Sequence, residues 1–202
     1  MQTAPSSMAG ATLNLQRLAF LLVDDNPLAL DLVCQIMLGL GAGRITRCDS
    51  AGEALAAVSA NDFDLVIADA QMEGMDGFEL IRKMRREARP ANRAVPVILV
   101  SGHSRQSDIL KARDCGANFV IAKPLTPKVL VERIFWLGRD ERPFIDCDAY
   151  VGPDRRFKNL GPPLGAAGRR ADDVNAALGE ASSPNLSQDE IDAFLKPAKV
   201  NI

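Results

Sequence analysis

The sequence has few of the features that mark secreted, membrane or nucleic-acid-binding proteins. Its 202 residues include one histidine, one tryptophan and one tyrosine, and its four cysteines have no C-x-x-C spacing. This argues against a disulfide framework and predicts reduced, mostly buried thiols at Cys34, Cys48, Cys115 and Cys147. The net charge is -2, from 24 Lys and Arg against 26 Asp and Glu. Charge alone therefore indicates no nucleic-acid or membrane-surface partner.

Long apolar runs are missing as well. The run Leu18 to Val23 is far shorter than the roughly 20 residues of a membrane span, and no signal-type region precedes it. We therefore expect a cytoplasmic protein without membrane insertion. The content of 47% apolar and 25% charged residues is that of a globular protein, with length for one domain plus an extension.

Strand-like apolar runs alternate with helix-like periodicity up to Leu137. The predicted strands are Leu18 to Val23, Arg44 to Cys48, Leu65 to Ala68, Val97 to Val100 and Phe119 to Ala122. The helices between them, including one from Gly77 through Arg89, predict an α/β fold: a doubly wound (βα)5 unit around a five-stranded parallel sheet covered on both faces.

The same reading divides the chain into four parts. Residues 1–16 form an Ala- and Ser-rich flexible leader and 17–139 form the α/β domain. Residues 140–185 are a Pro/Gly-rich linker in which apolar residues lose their period, so the tail is expected to be largely irregular. Residues 186–197 carry the capping box Ser187-x-x-Glu190 and form a short amphipathic helix.

Polar residues follow four of the predicted strands directly. Asp24 and Asp25 follow the first strand, Asp69 the third, Ser101 the fourth and Lys123 the fifth. Side chains at the carboxyl ends of parallel strands meet in one crevice. Three carboxylates there repel one another unless a hard cation such as Mg²⁺ neutralises them. The lysine and the hydroxyl can bind a phosphoryl group opposite the cation.

Together these motifs resemble the CheY-like receiver domain of two-component response regulators, over about Leu18 to Gly138. The motifs that carry the resemblance are Val23-Asp24-Asp25-Asn26, Asp69 with Met72 and Met75-Asp76-Gly77, Ser101-Gly102, and Lys123-Pro124. Any one of them alone would have an ordinary structural explanation, such as a helix cap or a turn. Their order and their places at the ends of the strands make the resemblance specific.

The resemblance implies a Mg²⁺ site. Asp25 and Asp69 would hold the ion directly, together with the backbone carbonyl of Gln71, and Asp24 would hold it through water.

The resemblance also implies that Asp69 accepts a phosphoryl group from a phosphohistidine. Lys123 would pair with the phosphoryl oxygens, and Ser101 would move toward them on phosphorylation. Gln71 and His103 would flank the group and set its hydrolysis rate, although for the single histidine a solvated loop side chain is the simpler interpretation.

Two positions depart from the family pattern. Glu73 stands where a proline is usual, and Val120 stands where an aromatic residue is usual, with Phe119 displaced by one position. Since a valine has no ring to turn into space left by Ser101, switching would use Phe119 or movement of loops and helices.

Two segments of the tail suggest interactions. Leu186 to Leu195 resembles the N-terminal peptide of the flagellar motor switch protein FliM, with a generic capped helix as the alternative; its contact residues would be Leu186, Ile191, Phe194 and Leu195. The segment from Tyr150 to Lys158, with Arg155 and Arg156, is either a phosphate or nucleotide contact or a linker strapped on the surface.

The leading hypothesis is a phosphorylation-controlled response regulator that receives its phosphoryl group from a histidine kinase or phosphotransfer protein. It would not be an enzyme and would not bind DNA. Its output would be protein–protein contact, in chemotaxis or motility, with the tail binding its own or another receiver. The alternative is a phosphate sink or phosphorelay intermediate with a dispensable tail. A Mg²⁺-dependent phosphatase is disfavoured because Gln71 stands where an Asp-x-Asp motif has its general acid.

Overall fold

Five short strands form the central sheet of the computed structural model, which describes residues 14–102, 105–155 and 188. The strands are Ala19–Val23 (β1), Arg44–Cys48 (β2), Leu65–Asp69 (β3), Val97–Ser101 (β4) and Phe119–Ala122 (β5). All neighbours pair in parallel, in the order β2-β1-β3-β4-β5. The predicted five-stranded parallel α/β fold is confirmed.

Helices connect the strands along the chain. They are Pro27–Gly39 (α1), Ala51–Ala60 (α2), Gly77–Glu87 (α3), Pro90–Arg93 (α4), Gln106–Cys115 (α5) and Pro127–Leu137 (α6). The helix predicted through Arg89 ends at Glu87, because the residue before Pro90 is disfavoured in helical conformation. Among the described residues, no helix has the length and apolarity to cross a membrane.

The core lies on both faces of the three middle strands. Every residue of β1, β3 and β4 is buried, as expected for parallel strands that helices cover on both sides. In α1 the apolar stripe includes Leu30, Val33 and Met37, which pack onto the sheet. Phosphate-binding or catalytic groups can therefore reach solvent only at the ends of these strands.

A two-stranded hairpin follows α6, where the sequence predicts an irregular linker. Phe144–Cys147 (β6) pairs antiparallel with Tyr150–Pro153 (β7). The hairpin packs on α3 and α5, where Tyr150 and Val151 are buried. The expectation of an irregular chain from residue 140 is therefore wrong for this segment, because contacts with the domain order it.

Two glycines allow the hairpin to approach the domain closely. Gly116 ends α5 at a φ of +94°, a conformation that favours glycine. A Cβ atom on Gly116 would lie 2.5 Å from the carbonyl oxygen of Val151, and one on Gly152 would lie 2.7 Å from the Cα atom of Gly116. The two backbones thus touch at a distance that no side chain permits.

Candidate phosphoacceptor and metal site

The carboxyl ends of the strands bring the predicted site residues to one edge of the sheet. Asp24 follows β1, Asp69 ends β3 and Ser101 ends β4, and all three are buried. Lys123 follows β5 and its Nζ atom lies 3.2 Å from Asp69 Oδ2 and 3.3 Å from Asp24 Oδ2. The ammonium group therefore bridges two of the three carboxylates.

Burial and neighbouring charges shift the pKa values of Asp69 and Lys123. Burial raises the pKa of Asp69, and the Asp24 charge adds to this rise against the opposing pull of Lys123. Burial alone would lower the pKa of Lys123, but the charges of Asp69 and Asp24 outweigh it and the net change is upward. Lys123 therefore stays a cation, while the ionised form of Asp69 is held at a cost that a further positive charge would relieve.

The donor set fits a hard divalent cation. One oxygen from each of Asp24, Asp25 and Asp69 can lie within 4.8 Å of the others, and Asp25 is exposed. Asp69 Oδ1 is buried and has no hydrogen-bond partner in the described part of the chain. A buried carboxylate oxygen of this kind needs a ligand. The structure thus supplies a site in which Mg²⁺ would find carboxylate oxygens and access to water.

The loop after β3 is tied to the site by a contact that sequence reasoning missed. The backbone N–H of Glu73 donates a hydrogen bond to Asp25 Oδ2 at 2.7 Å. A proline, the usual residue of the family there, has no N–H to donate. The departure at Glu73 therefore creates a direct link between this loop and a predicted metal ligand.

Gly77 lets the first turn of α3 press against the end of β3. A Cβ atom there would lie 2.1 Å from the carbonyl oxygen of Asp69. Asp76 caps the helix by accepting a hydrogen bond from the Glu79 N–H at 2.7 Å. The absence of a side chain at Gly77 therefore lets α3 begin directly against the end of β3.

The remaining predicted residues lie in their expected segments. Ser101 is buried and is paired in register with Ala122, one residue before Lys123. Gln71 is exposed in the loop after β3, and Val120 is buried in β5. The roles assigned to the Gln71 carbonyl and to Ser101 stay predictions.

Several predictions concern residues outside the described part of the chain. These are most of the leader, His103, Arg156, and the tail residues Leu186, Ile191, Phe194 and Leu195. Arg155 is described: it forms an ion pair with Asp114 at 2.7 Å, and its Cζ atom lies 4.1 Å from the centre of the Tyr150 ring. Arg155 thus contacts the surface of the domain, and the phosphate or nucleotide contact of this segment stays a prediction.

Gln188 is the one described residue of the predicted tail helix, and its backbone is helical. Its Oε1 atom accepts a hydrogen bond from the Ala122 N–H at 2.8 Å, and its Nε2 atom donates to the Val120 carbonyl at 3.2 Å. The sequence places Gln188 within a capping box and predicts that the tail binds its own or another receiver, but it gives no signal for these particular partners, which are backbone groups of a distant strand.

A parallel (βα)5 sheet with a buried aspartate at the end of β3, beside two further aspartates and a lysine, defines a receiver-type α/β domain. The family model of the response regulator receiver domain matches residues 20–135, and the chain belongs to this family. The chain is 30% identical over 114 residues to the chemotaxis protein CheY of Pseudomonas aeruginosa, covering 56% of this chain and 90% of that protein. It is 29% identical over 119 residues to the chemotaxis protein CheY-3 of Vibrio cholerae, covering 59% and 90%.

Solved structures agree with this assignment. A CheY-like receiver domain protein from Methanospirillum hungatei is 30% identical, with a TM-score of 0.53 over 59% of this chain and 91% of that chain. The receiver domain of a sensor histidine kinase from Pseudomonas aeruginosa PAO1, solved with magnesium coordinated in its active-site cleft, is 27% identical. Its TM-score is 0.54 over 60% of this chain and 98% of that chain. The chain is thus the receiver domain of a two-component response regulator with a C-terminal extension.

Proposed function

We propose that Asp69 accepts a phosphoryl group from the phosphohistidine of a histidine kinase or phosphotransfer protein. The observation that carries this proposal is the bridge from Lys123 Nζ to Asp69 and Asp24 beside a buried, unpartnered oxygen of Asp69. It supports the proposal because a carboxylate, a fixed positive charge and further carboxylate oxygens suited to a cation lie together at one edge of the sheet.

The transfer follows from this arrangement. One carboxylate oxygen of Asp69 attacks the phosphorus atom and the P–N bond of the donor breaks, with its electron pair returning to the imidazole. Lys123 balances the charge of the phosphoryl oxygens, and the Ser101 hydroxyl donates a hydrogen bond to one of them. Mg²⁺, held directly by Asp25, Asp69 and the Gln71 carbonyl and through water by Asp24, would supply charge neutralisation for the incoming oxygens.

The protein would act as a phosphoacceptor rather than as an enzyme with turnover on a separate substrate. Water can hydrolyse the resulting acyl phosphate, so the signal ends without a further protein.

We infer that the output is protein–protein contact in chemotaxis or motility signalling. The likeness to two chemotaxis proteins named CheY supports the pathway, and the contact of Gln188 with β5 supports a role for the tail.

Mass spectrometry of the full chain with a small-molecule phosphodonor and Mg²⁺ tests the proposal. We expect one added phosphoryl group in the wild type and none in Asp69→Asn, which keeps the side-chain volume and loses the nucleophilic charge. Asp62→Asn is the matched control, because Asp62 is exposed and pairs with Arg89 away from the site. A phosphoaspartate in Asp69→Asn would remove Asp69 as the acceptor.

A phosphate sink or phosphorelay intermediate is the second candidate. Likeness to receiver domains of histidine kinases favours it, as does the valine at position 120 in place of an aromatic residue. Deleting residues 180–202 separates the two functions. A sink would support signalling equally well without the tail, whereas a tail-dependent regulator would lose it.

A further inference from the structure

Strand β5 lies at the edge of the sheet, with β4 on one side only. Edge strands present N–H and C=O groups that another chain can pair with. The side-chain amide of Gln188 takes up one N–H and one C=O at this edge, those of Ala122 and Val120. The Gln188 side-chain amide therefore supplies one acceptor and one donor where a neighbouring strand would otherwise pair with β5.

The backbone of Ala122, which Gln188 binds, lies next to Lys123 and Ser101, the two residues expected to respond to phosphorylation. Ala122 precedes Lys123 in the chain and pairs in register with Ser101. The Lys123 N–H in turn donates to the Ser101 carbonyl at 2.8 Å. A movement of the Lys123 or Ser101 backbone toward a phosphoryl group would therefore reach the backbone that Gln188 holds.

A buried arginine of the domain lies close to the edge strand β5. Arg133 of α6 is only 3% exposed, and its Cζ atom lies 5.5 Å from the centre of the Trp136 ring. That ring meets Phe119 of β5 edge to face at 6.2 Å, so a buried cation lies beside the edge strand. In the sequence, Gln188 is followed by three acids, Asp189, Glu190 and Asp192, whose charge is opposite in sign to that of Arg133.

The connection within one chain is also long enough. Residues 156–187 separate Arg155 from Gln188, and an extended chain covers about 3.3–3.6 Å per residue. The contact therefore needs no second copy of the protein.

We propose that Gln188 is an intramolecular clamp on β5, closed in the unphosphorylated receiver and weakened by phosphorylation of Asp69. Lys123 pairs with the carboxylates of Asp24 and Asp69 while Gln188 holds the neighbouring backbone of β5. Linkage makes the effect reciprocal, so the clamp opposes the phosphorylated state by the factor by which phosphorylation opposes the clamp. Its release would uncover Val120 and Ala122 for a partner. The coupling rests on the proposed function, whereas the clamp itself does not.

Amide hydrogen exchange at single residues of the full chain tests the clamp. We expect the Ala122 amide to exchange at least about tenfold faster in Gln188→Ala than in the wild type, because its acceptor is gone. The Lys123 amide, which bonds inward to Ser101, is the internal control and keeps its protection. Gln35→Ala, an exposed glutamine of α1, should leave Ala122 protected. Equal Ala122 exchange in the wild type and Gln188→Ala overturns the proposal, as does protection that grows with protein concentration, which would mean a second copy.

Titration with beryllofluoride and Mg²⁺, a phosphoryl mimic, tests the coupling. We expect the mimic to speed Ala122 exchange in the wild type and to bind about fivefold more tightly to Gln188→Ala. Binding with no such difference overturns the coupling and leaves the proposed function intact. No binding to either protein, with Ala122 still protected by Gln188, overturns the proposed function and its coupling but supports the clamp.

Discussion

Arg85 holds the carbonyl oxygen of Gly116 with two of its nitrogens, Nε at 3.1 Å and Nη2 at 2.9 Å. Its Nη1 atom donates to the carbonyls of Arg93 and Val95, each at 2.7 Å. Burial lowers the pKa of Arg85 to about 10, and its Cζ atom lies 5.4 Å from the centre of the Phe144 ring. One guanidinium therefore ties the end of α3 to the start of β4, the end of α5 and the hairpin.

Arg85→Ala should lower the free energy of unfolding by about 3 kcal/mol or more, because three backbone carbonyls lose their donor. Urea unfolding measures the change. Arg82→Ala, exposed on the same helix, should change it by no more than about 0.5 kcal/mol. Similar values for the two variants would show that the Arg85 bonds contribute little.

Gly77→Ala should destabilise the fold and weaken phosphorylation together, since the new methyl group would overlap the Asp69 carbonyl. Gly52→Ala is the matched control: it lies in α2 with no atom within 4 Å of the added carbon, and should stabilise by about 0.5–1 kcal/mol. Thermal unfolding and the phosphodonor assay report both effects. A Gly77→Ala variant as stable as Gly52→Ala would contradict the close approach of α3 to β3.

Tyr150 should titrate far above an ordinary tyrosine. Burial raises its pKa from 10.0 to about 12, and its hydroxyl donates to the Pro153 carbonyl at 2.7 Å. The neutral phenol thus stabilises the fold fully below pH 10, and this contribution is lost as pH rises toward 12. Because the chain has one tyrosine, tyrosinate absorbance reads it directly. A midpoint near 10 in the folded protein would mean that the hairpin leaves Tyr150 in solvent.

Glu73→Pro should bind Mg²⁺ more tightly, because it removes the N–H that occupies Asp25 Oδ2. A hydrogen bond of about 0.5–1.5 kcal/mol corresponds to a gain of up to about tenfold. Glu73→Ala keeps the N–H and is the control for loss of the side chain. Isothermal titration with Mg²⁺ measures both, and identical affinities would show that the N–H does not compete with the cation. Asp25→Ala should abolish the difference.

Much of the site could be predicted because it depends on local rules. Apolar runs ending in Asp24, Asp69 and Ser101 define both the strands and their carboxyl ends, and parallel topology brings those ends together. The hairpin could not be predicted in this way. Its strands have four residues each, include Gly152 and Pro153, and owe their order to Arg85 and Gly116, which are remote in sequence.

The sequence predicts that the tail binds a receiver, but the particular backbone partners of Gln188 could not be predicted, for a related reason. A glutamine carries no preference for a particular edge strand, and Ala122 is 66 positions away. The departure at Glu73 was visible in the sequence, but its consequence for Asp25 depends on the course of the loop. Both contacts depend on how the fold brings distant segments together, and residue type alone does not indicate this.

The hairpin also fixes Arg155, from which the chain continues toward Gln188. Arg155, bound to Asp114 at the end of α5, fixes one end of the segment 156–187, and Gln188 on β5 marks the other. Because Gln188 belongs to the same chain as β5, it meets this strand at an effective concentration on the order of millimolar. Under the proposed clamp, a partner that binds Val120 and Ala122 must outcompete Gln188 at this effective concentration, or bind after phosphorylation has weakened the clamp. If the clamp holds, the hairpin helps to set the partner concentration at which the receiver edge is occupied.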